Sequence, residues 1–398
     1  MDQLPFLTRT LPGTGGQIKT CPDDFVVEEI PLYQPCGDGG HTYLLVEKRG
    51  LSTHHMVGRI ARALRVAPDA IGYAGLKDAR AVTRQFISVE GVTPEQAHSL
   101  QVEGVRVLAV ARHRNKLKLG HLAGNHFTVR VRGVETAAVA VAEAVLAELS
   151  QRGVPNYFGE QRFGARDNTH RLGLTLLRGD AIGFVREYLG SPRPDERPDL
   201  QAARTLVDAG DYAAALARWP GGLRDERRVL EALVRADGDA GRAVRALNNE
   251  LRRLALTAYQ AHLFNQLLAE RIDRLGQIEA GDVAFIHASG AAFIVQDPAV
   301  EQPRADRFEI SPSGPLFGPK CLLAEGAPGA RERALLAESG LTLDSFRLPG
   351  IKMKGARRPY RVPIHDIAVS WDEGLILQFR LPPGSYATQV LREVMKHD

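Results

Sequence analysis

The stretch Asn125–Val134 reads NHFTVRVRGV. Phe127, Val129 and Val131 alternate with Thr128, Arg130 and Arg132, and a period of two places successive side chains on opposite faces of a strand. One face is apolar and the other basic, which is the pattern of an antiparallel sheet with one covered side. Working outward toward the N-terminus, Val105–Ala111 repeats the alternation. Asn115–Leu119 repeats it too, with Lys116 and Lys118 on one side and Leu117 and Leu119 on the other. Residues 17–34 read as a further strand, with Phe25, Val26 and Val27 as its apolar centre and Pro31 marking its end. His41–Lys48 reads as another, after turn residues Gly37–Gly40. Leu51–Val66 has Met56, Ile60 and Leu64 at helical spacing, Ser52 or Thr53 as cap, and Pro68 as stop.

Toward the C-terminus, Thr136–Leu149 is an Ala-rich helix and Gly153–Gly164 (GVPNYFGEQRFG) reads as a hinge. From Asn168 to about Ala280 the pattern is helical, and Asn249–Leu275 carries two apolar rows, as a helix packed on more than one side should. Gly281–Ala324, with Pro298, Pro303, Pro312, Pro315 and Pro319, reads as short strands and turns. A short helix follows at Arg331–Glu338. The tail returns to strands at Asp366–Ser370 and Leu375–Leu381, then a last helix from about Tyr386 to Lys396 with Ser385 as cap. Head and tail are alike and the middle differs. The expected fold is therefore α+β: a mixed, mostly antiparallel sheet domain formed by residues 1–154 and 351–398, interrupted by a largely helical insertion over residues 155–350.

Composition narrows the function. The chain has 398 residues, 44% hydrophobic and 25% charged, which is the balance of a globular protein too long for one ordinary core. No apolar run approaches the ~20 residues of a membrane helix, and the first residues lack a signal-peptide layout. A cytoplasmic location is expected. Cys21, Cys36 and Cys321 are scattered, so neither a disulfide framework nor a zinc site is expected, and no metal is implied. The net charge is +4. Its distribution is more informative: Gly104–Val134 holds seven Lys or Arg and no acid, and Ser345–His365 holds six and no acid. Two such stretches would make a positive surface for nucleic acid if the fold joined them.

The stretch Gly72–Val89 (GYAGLKDARAVTRQFISV) sets Lys77 and Asp78 in a loop opened by glycines, followed by a strand. An acid held in such a turn next to cations is a candidate catalytic group. There is no G-x-x-x-x-G-K-[ST] loop, no strand-to-helix G-x-G-x-x-G and no G-x-S-x-G elbow. Chemistry that needs only a carboxylate, without a cofactor, is left.

Five stretches, DDFVVEEIP (23–31), AGLKDARAVTRQF (74–86), RHRNKLKLGHLAGNHF (112–127), GVPNYFGEQRFG (153–164) and LPPGSYATQVLRE (381–393), together resemble the TruD family of pseudouridine synthases, in the family's order. The resemblance implies isomerisation of uridine to pseudouridine in tRNA, at uridine 13 in bacterial members, without cofactor or metal. It implies Asp78 as the catalytic carboxylate, either as nucleophile at C1′ or as base at C2′. It matches Phe127 to the family's stacking aromatic and Asn125 to its polar partner. Lys77 either assists or meets a phosphate, and Gln85 is a weaker substrate-side candidate. Arg114, Lys116, Arg130 and Arg132 are the expected phosphate contacts. The partner is tRNA, and nothing calls for a membrane or an obligate protein partner. The competing reading is a catalytically inactive RNA-binding protein of the same fold.

Overall fold

The alternation at Asn125–Val134 becomes a strand near the middle of an eight-stranded sheet. The computed structural model describes residues 4–396. The sheet is built from β1 (Phe25–Pro31), β2 (His41–Arg49), β3 (Ile71–Tyr73), β4 (Val82–Glu90), β5 (Val105–His113), β6 (Leu122–Val131) and two late strands, His365–Trp371 and Leu375–Leu381. Its order runs from His365–Trp371 through Leu375–Leu381, β6, β1, β4 and β2 to β5, and β3 pairs with β4. Only β1 and β4 run parallel; the remaining neighbours are antiparallel. The tail thus hydrogen-bonds directly to the head, because Leu375–Leu381 lies beside β6 with Phe379 opposite Phe127. Gly124 permits the close approach: a Cβ there would stand 2.5 Å from the Leu381 carbonyl oxygen.

Helix α1 (Thr53–Leu64) starts where expected, with the Ser52 hydroxyl accepting from the His55 N–H at 3.2 Å. Its Met56, Val57 and Ile60 pack onto Leu44, Val46, Ile87 and Val89 of β2 and β4. These residues define the covered face of the sheet.

The chain divides into two compact units. Among the described residues, one holds Phe6–Asn156 and 361–396, and the other holds Tyr157–Tyr360 with Leu4 and Pro5. The second is largely helical. Phe184, Leu189, Trp219, Leu230 and Leu233 form its fully buried centre. Its longest helix, Asn249–Arg271, buries residues on most sides, including Tyr259, Leu263 and Phe264.

Three local expectations are corrected. Asn115–Leu119 is a loop, not a strand: the Leu117 N–H donates to the Ser88 hydroxyl at 2.9 Å, so a side chain takes the place of a neighbouring strand. Pro298 opens a helix, Pro298–Asp306, because Asp297 caps it and proline suits the first turn. The last helix is Ala387–Met395, and no side-chain hydrogen bond caps it.

Candidate active site

Register across the sheet decides which side chains can meet. Phe379, Phe127, Val27, Thr83 and Lys48 are successive partners across five strands, and so form one row on the covered face. In the next row, Leu381 is opposite Asn125, Asn125 opposite Glu29, and Val46 opposite Gln85. The loop between β3 and β4 lies over these rows, and it carries Lys77 and Asp78.

Asp78 is held at three points. Its Oδ2 pairs with Lys19 Nζ, its Oδ1 accepts the Arg80 N–H at 2.8 Å, and its backbone carbonyl accepts from Lys48 Nζ at 2.7 Å. Its side chain keeps 30% exposure, so a ligand can reach it. Burial alone would raise the carboxyl's pKa, but the Lys19 hydrogen bond, the Arg80 amide and the Lys19 and Lys48 charges together hold it below the ordinary value. The group is an anion at neutral pH. Lys19 adopts φ 58°, a left-handed conformation that non-glycine residues enter rarely, and its ammonium also lies 4.4 Å from the centre of the Phe25 ring.

Lys48 is buried and gives its ammonium to two carbonyls, of Leu51 at 2.5 Å and of Asp78. Burial brings its pKa down to about 8, against the opposing pull of Asp78.

Lys77 points inward. Its side chain is 4% exposed and pairs at 2.7 Å with Glu29, which is 1% exposed. The same ammonium donates to Asn125 Oδ1 at 2.7 Å. Because an ammonium only donates, this contact fixes which end of the Asn125 amide faces Lys77. Burial raises the Glu29 carboxyl, and Lys77 acts against that shift. Gln85 is buried and braces the loop: it lies 3.3 Å from the Thr53 hydroxyl and donates to the Gly75 carbonyl at 3.4 Å. Thr53 in turn accepts the Lys77 N–H at 2.9 Å.

Phe127 is 7% exposed, with Phe25 edge-on at 6.3 Å and Phe379 stacked at 5.4 Å. The fold therefore gathers Asp78, Lys77, Asn125, Phe127 and Gln85 on one side of the sheet. Lys19, Lys48, Glu29 and Thr53 join them, and sequence reasoning assigned none of these four to the site. Lys19 precedes a strand in an unremarkable run, and Lys48 reads as an ordinary strand-end cation. Only the even spacing of Lys48 from buried Leu44 and Val46 signals that it faces inward.

The expected phosphate contacts are placed elsewhere. Arg130 and Arg132 lie on the opposite face, where Arg130 pairs with Asp372 at 2.8 Å and Arg132 with buried Asp24 at 2.7 Å. Arg114 pairs with Asp38 at 2.9 Å, and Lys116 donates to the Asp69 carbonyl. Arg114 and Lys116 border an open cleft of about 690 Å³, together with Tyr33, His41, His113 and Lys118. In the second basic stretch, Arg357 is buried against Glu332 at 2.8 Å and Arg347 pairs with Asp344, while Lys352 and Lys354 are exposed. Among the described residues, no group of three or more His, Cys, Asp or Glu side chains is placed to hold a metal ion, and no helix is long and apolar enough to cross a membrane.

Residues 3–394 match the family model described as tRNA pseudouridine synthase D (TruD). A Geobacter metallireducens protein named tRNA pseudouridine synthase D is 52% identical over 98% of this chain and 97% of its own length. One of the same name from Syntrophotalea carbinolica is 49% identical over 99% of each. The crystal structure of a Methanosarcina mazei protein described as a tRNA pseudouridine synthase D superposes with a TM-score of 0.86 at 30% identity, covering 99% of this chain and 96% of that one. By sequence along its whole length and by fold, the chain belongs to the tRNA pseudouridine synthase D (TruD) family.

Proposed function

We propose that this protein isomerises uridine to pseudouridine in tRNA, with Asp78 as the catalytic carboxylate and uridine 13 as the target. The observation that carries the assignment of Asp78 is its anchoring. It is an anion with one oxygen on Lys19 and one on a backbone amide, yet it stays reachable in a loop whose backbone Lys48 and Thr53 tie down.

The reaction breaks the N1–C1′ bond, turns the uracil and joins C5 to C1′. The C5 proton is lost and N1 gains one, so the change is internally balanced. An ionised carboxylate serves it either by adding to C1′ or by removing the C2′ proton. Lys19 fixes the carboxylate's direction and keeps it deprotonated. The target uridine leaves its stack to reach this depth. Asn125 has its carbonyl turned to Lys77, so its amide N–H groups are directed to an acceptor such as a uracil carbonyl. Phe127 forms the apolar wall of the site. Lys77, buried between Glu29 and Asn125, positions Asn125 rather than meeting a phosphate. Lys116 and Lys118 provide phosphate contacts around the open cleft, where Arg114 is engaged by Asp38. Residues 155–350 serve as the family's insertion domain, and the enzyme works in the cytoplasm, where its tRNA is.

The test is to incubate the purified protein with unmodified tRNA, no cofactor added, and map pseudouridine. Conversion of uridine 13 is expected, with Asp78→Ala slower by at least about a thousandfold. Undiminished conversion by Asp78→Ala would falsify the assignment, and conversion elsewhere in the tRNA would move the target.

A further inference from the structure

The loop that carries Asp78 reverses the burial of its residue types. Leu76 is 61% exposed, whereas its neighbour Lys77 is buried. In most loops the leucine turns inward and the lysine takes the water. The inversion does not come from a slack backbone, because the residues flanking Leu76 are fastened on both sides. The Ala74 carbonyl accepts the Gly120 N–H at 2.8 Å, and the Gly75 carbonyl accepts from Gln85 at 3.4 Å. After Leu76, the Lys77 N–H donates to Thr53 at 2.9 Å and the Asp78 carbonyl accepts from Lys48 at 2.7 Å. A rigid segment thus holds an apolar side chain in water two residues from the carboxylate.

Isolated exposed leucines are common and need no account. A fastened one beside a reactive group is different. A leucine carried on a fastened backbone loses only side-chain freedom when apolar surface covers it, so covering it keeps most of its transfer free energy. The chemistry at Asp78 creates such a surface. When a uridine is drawn out of its stack, the faces of its two neighbours are exposed, and apolar side chains that enter base steps elsewhere are of this kind.

We propose that Leu76 is the wedge that fills the space vacated by the target uridine and covers the faces of the flanking bases. This rests on the reading of the protein as a pseudouridine synthase. Leu76 then acts on extrusion of the base and not on the bond-making steps, which remain with Asp78. Its contribution is largest where the uridine is stacked in folded RNA and smallest where it is already unstacked.

The experiment compares wild type, Leu76→Ala and Leu76→Met in single-turnover pseudouridine formation. The substrates are folded tRNA and a short unstructured RNA with the same target sequence. On folded tRNA, Leu76→Ala is expected to be slower by about tenfold to fiftyfold, from the loss of three apolar carbons. On the unstructured RNA it should stay within about threefold of wild type, and Leu76→Met, apolar and of similar volume, within about threefold on both. Wild-type speed for Leu76→Ala on folded tRNA, or equal slowing on both RNAs, overturns the wedge. Should the short RNA prove no substrate for wild type, 2-aminopurine beside the target in folded tRNA decides. Bound Asp78→Ala protein should raise its fluorescence and the Asp78→Ala/Leu76→Ala double variant should not; equal rises overturn the proposal. A wild type that makes no pseudouridine in any tRNA overturns the underlying reading itself, and the wedge with it.

Discussion

The two faces of the sheet, one residue apart in register, are put to opposite uses. On the covered face, one row runs Phe379, Phe127, Val27, Thr83, Lys48, with a single charge. On the other, the adjacent row runs Arg380, His126, Glu28, Arg84, Glu47, Arg106. There Arg84 reaches Glu28 at 2.6 Å and Glu47 at 2.9 Å, and Arg106 reaches Glu47 at 3.0 Å. Charges that alternate across strands neutralise one another, and in water such pairs add little stability. The few charges of the covered face are out of water, and each is aimed at a particular group. Counting cations along the chain does not separate the two. What a cation does depends on whether a carboxylate across the strand consumes it and on how much water surrounds it.

Two neighbouring glutamates, Glu28 and Glu29, sit on opposite faces and should differ most on removal. Glu29→Ala leaves the Lys77 ammonium buried without its carboxylate and should cost about 3–5 kcal/mol. Glu28→Ala, one residue away on the wet face, should cost less than about 1 kcal/mol. Denaturant unfolding of both variants measures the difference, and equal losses would show that the faces do not differ as described.

Removal of the cation aimed at Asp78 should have the next largest effect. Lys19→Met deletes a charge-assisted hydrogen bond worth about 1.5–3 kcal/mol, a roughly tenfold to hundredfold loss of kcat/KM. It should also move the acidic limb of the pH–rate profile upward, since Asp78 then ionises at higher pH. An acidic limb that stays in place would separate Lys19 from Asp78.

The third concerns Lys48, whose pKa is brought down to about 8 from an ordinary 10.5. Below pH 8 both folded and unfolded chains carry its proton. Between 8 and 10.5 the folded chain has lost it and the unfolded chain still holds it, so this group's contribution to stability rises with pH across that window. Activity should move the other way. Loss of the positive charge behind Asp78 gives kcat/KM a descending limb near pH 8, which Lys48→Met abolishes at a lower plateau. A limb unchanged in Lys48→Met would have another origin.

The smallest effect is expected among the exposed cations. Lys118→Glu at the open cleft should weaken tRNA binding by about tenfold and flatten its dependence on salt. Arg130→Ala, already engaged by Asp372, should change binding by less than about twofold, since a consumed cation releases few counterions. Filter binding at several salt concentrations distinguishes them, and the reverse ranking would return the basic side of β6 to the RNA.

Much was legible along the chain. Strands β1, β2, β5 and β6, helix α1, the helical middle and the strand-rich tail follow from periodicity and punctuation, because burial of one face imposes its period on the residues. Asp78 stood out through its glycine loop, and the five stretches carried the family. Asn115–Leu119 misled because alternation does not require a partner strand, and here a serine hydroxyl took the hydrogen bond. Arg130 and Arg132 alternate as read, and they lie on the face away from the loop, because which side faces the loop depends on what packs above the sheet.

The α+β class and the strand that orders the sheet were legible in the residues alone, and so was Asp78 as a candidate group in a glycine loop. The tertiary structure alone decided that Lys19, Lys48, Glu29 and Thr53 surround that loop, and that the conspicuous Arg130 and Arg132 look away from it. The physical reason is the range of the forces. Periodicity is written by neighbours a few residues apart, whereas the charge state and direction of Asp78 are set by groups up to 59 residues distant that come within hydrogen-bonding reach only after the strands pair.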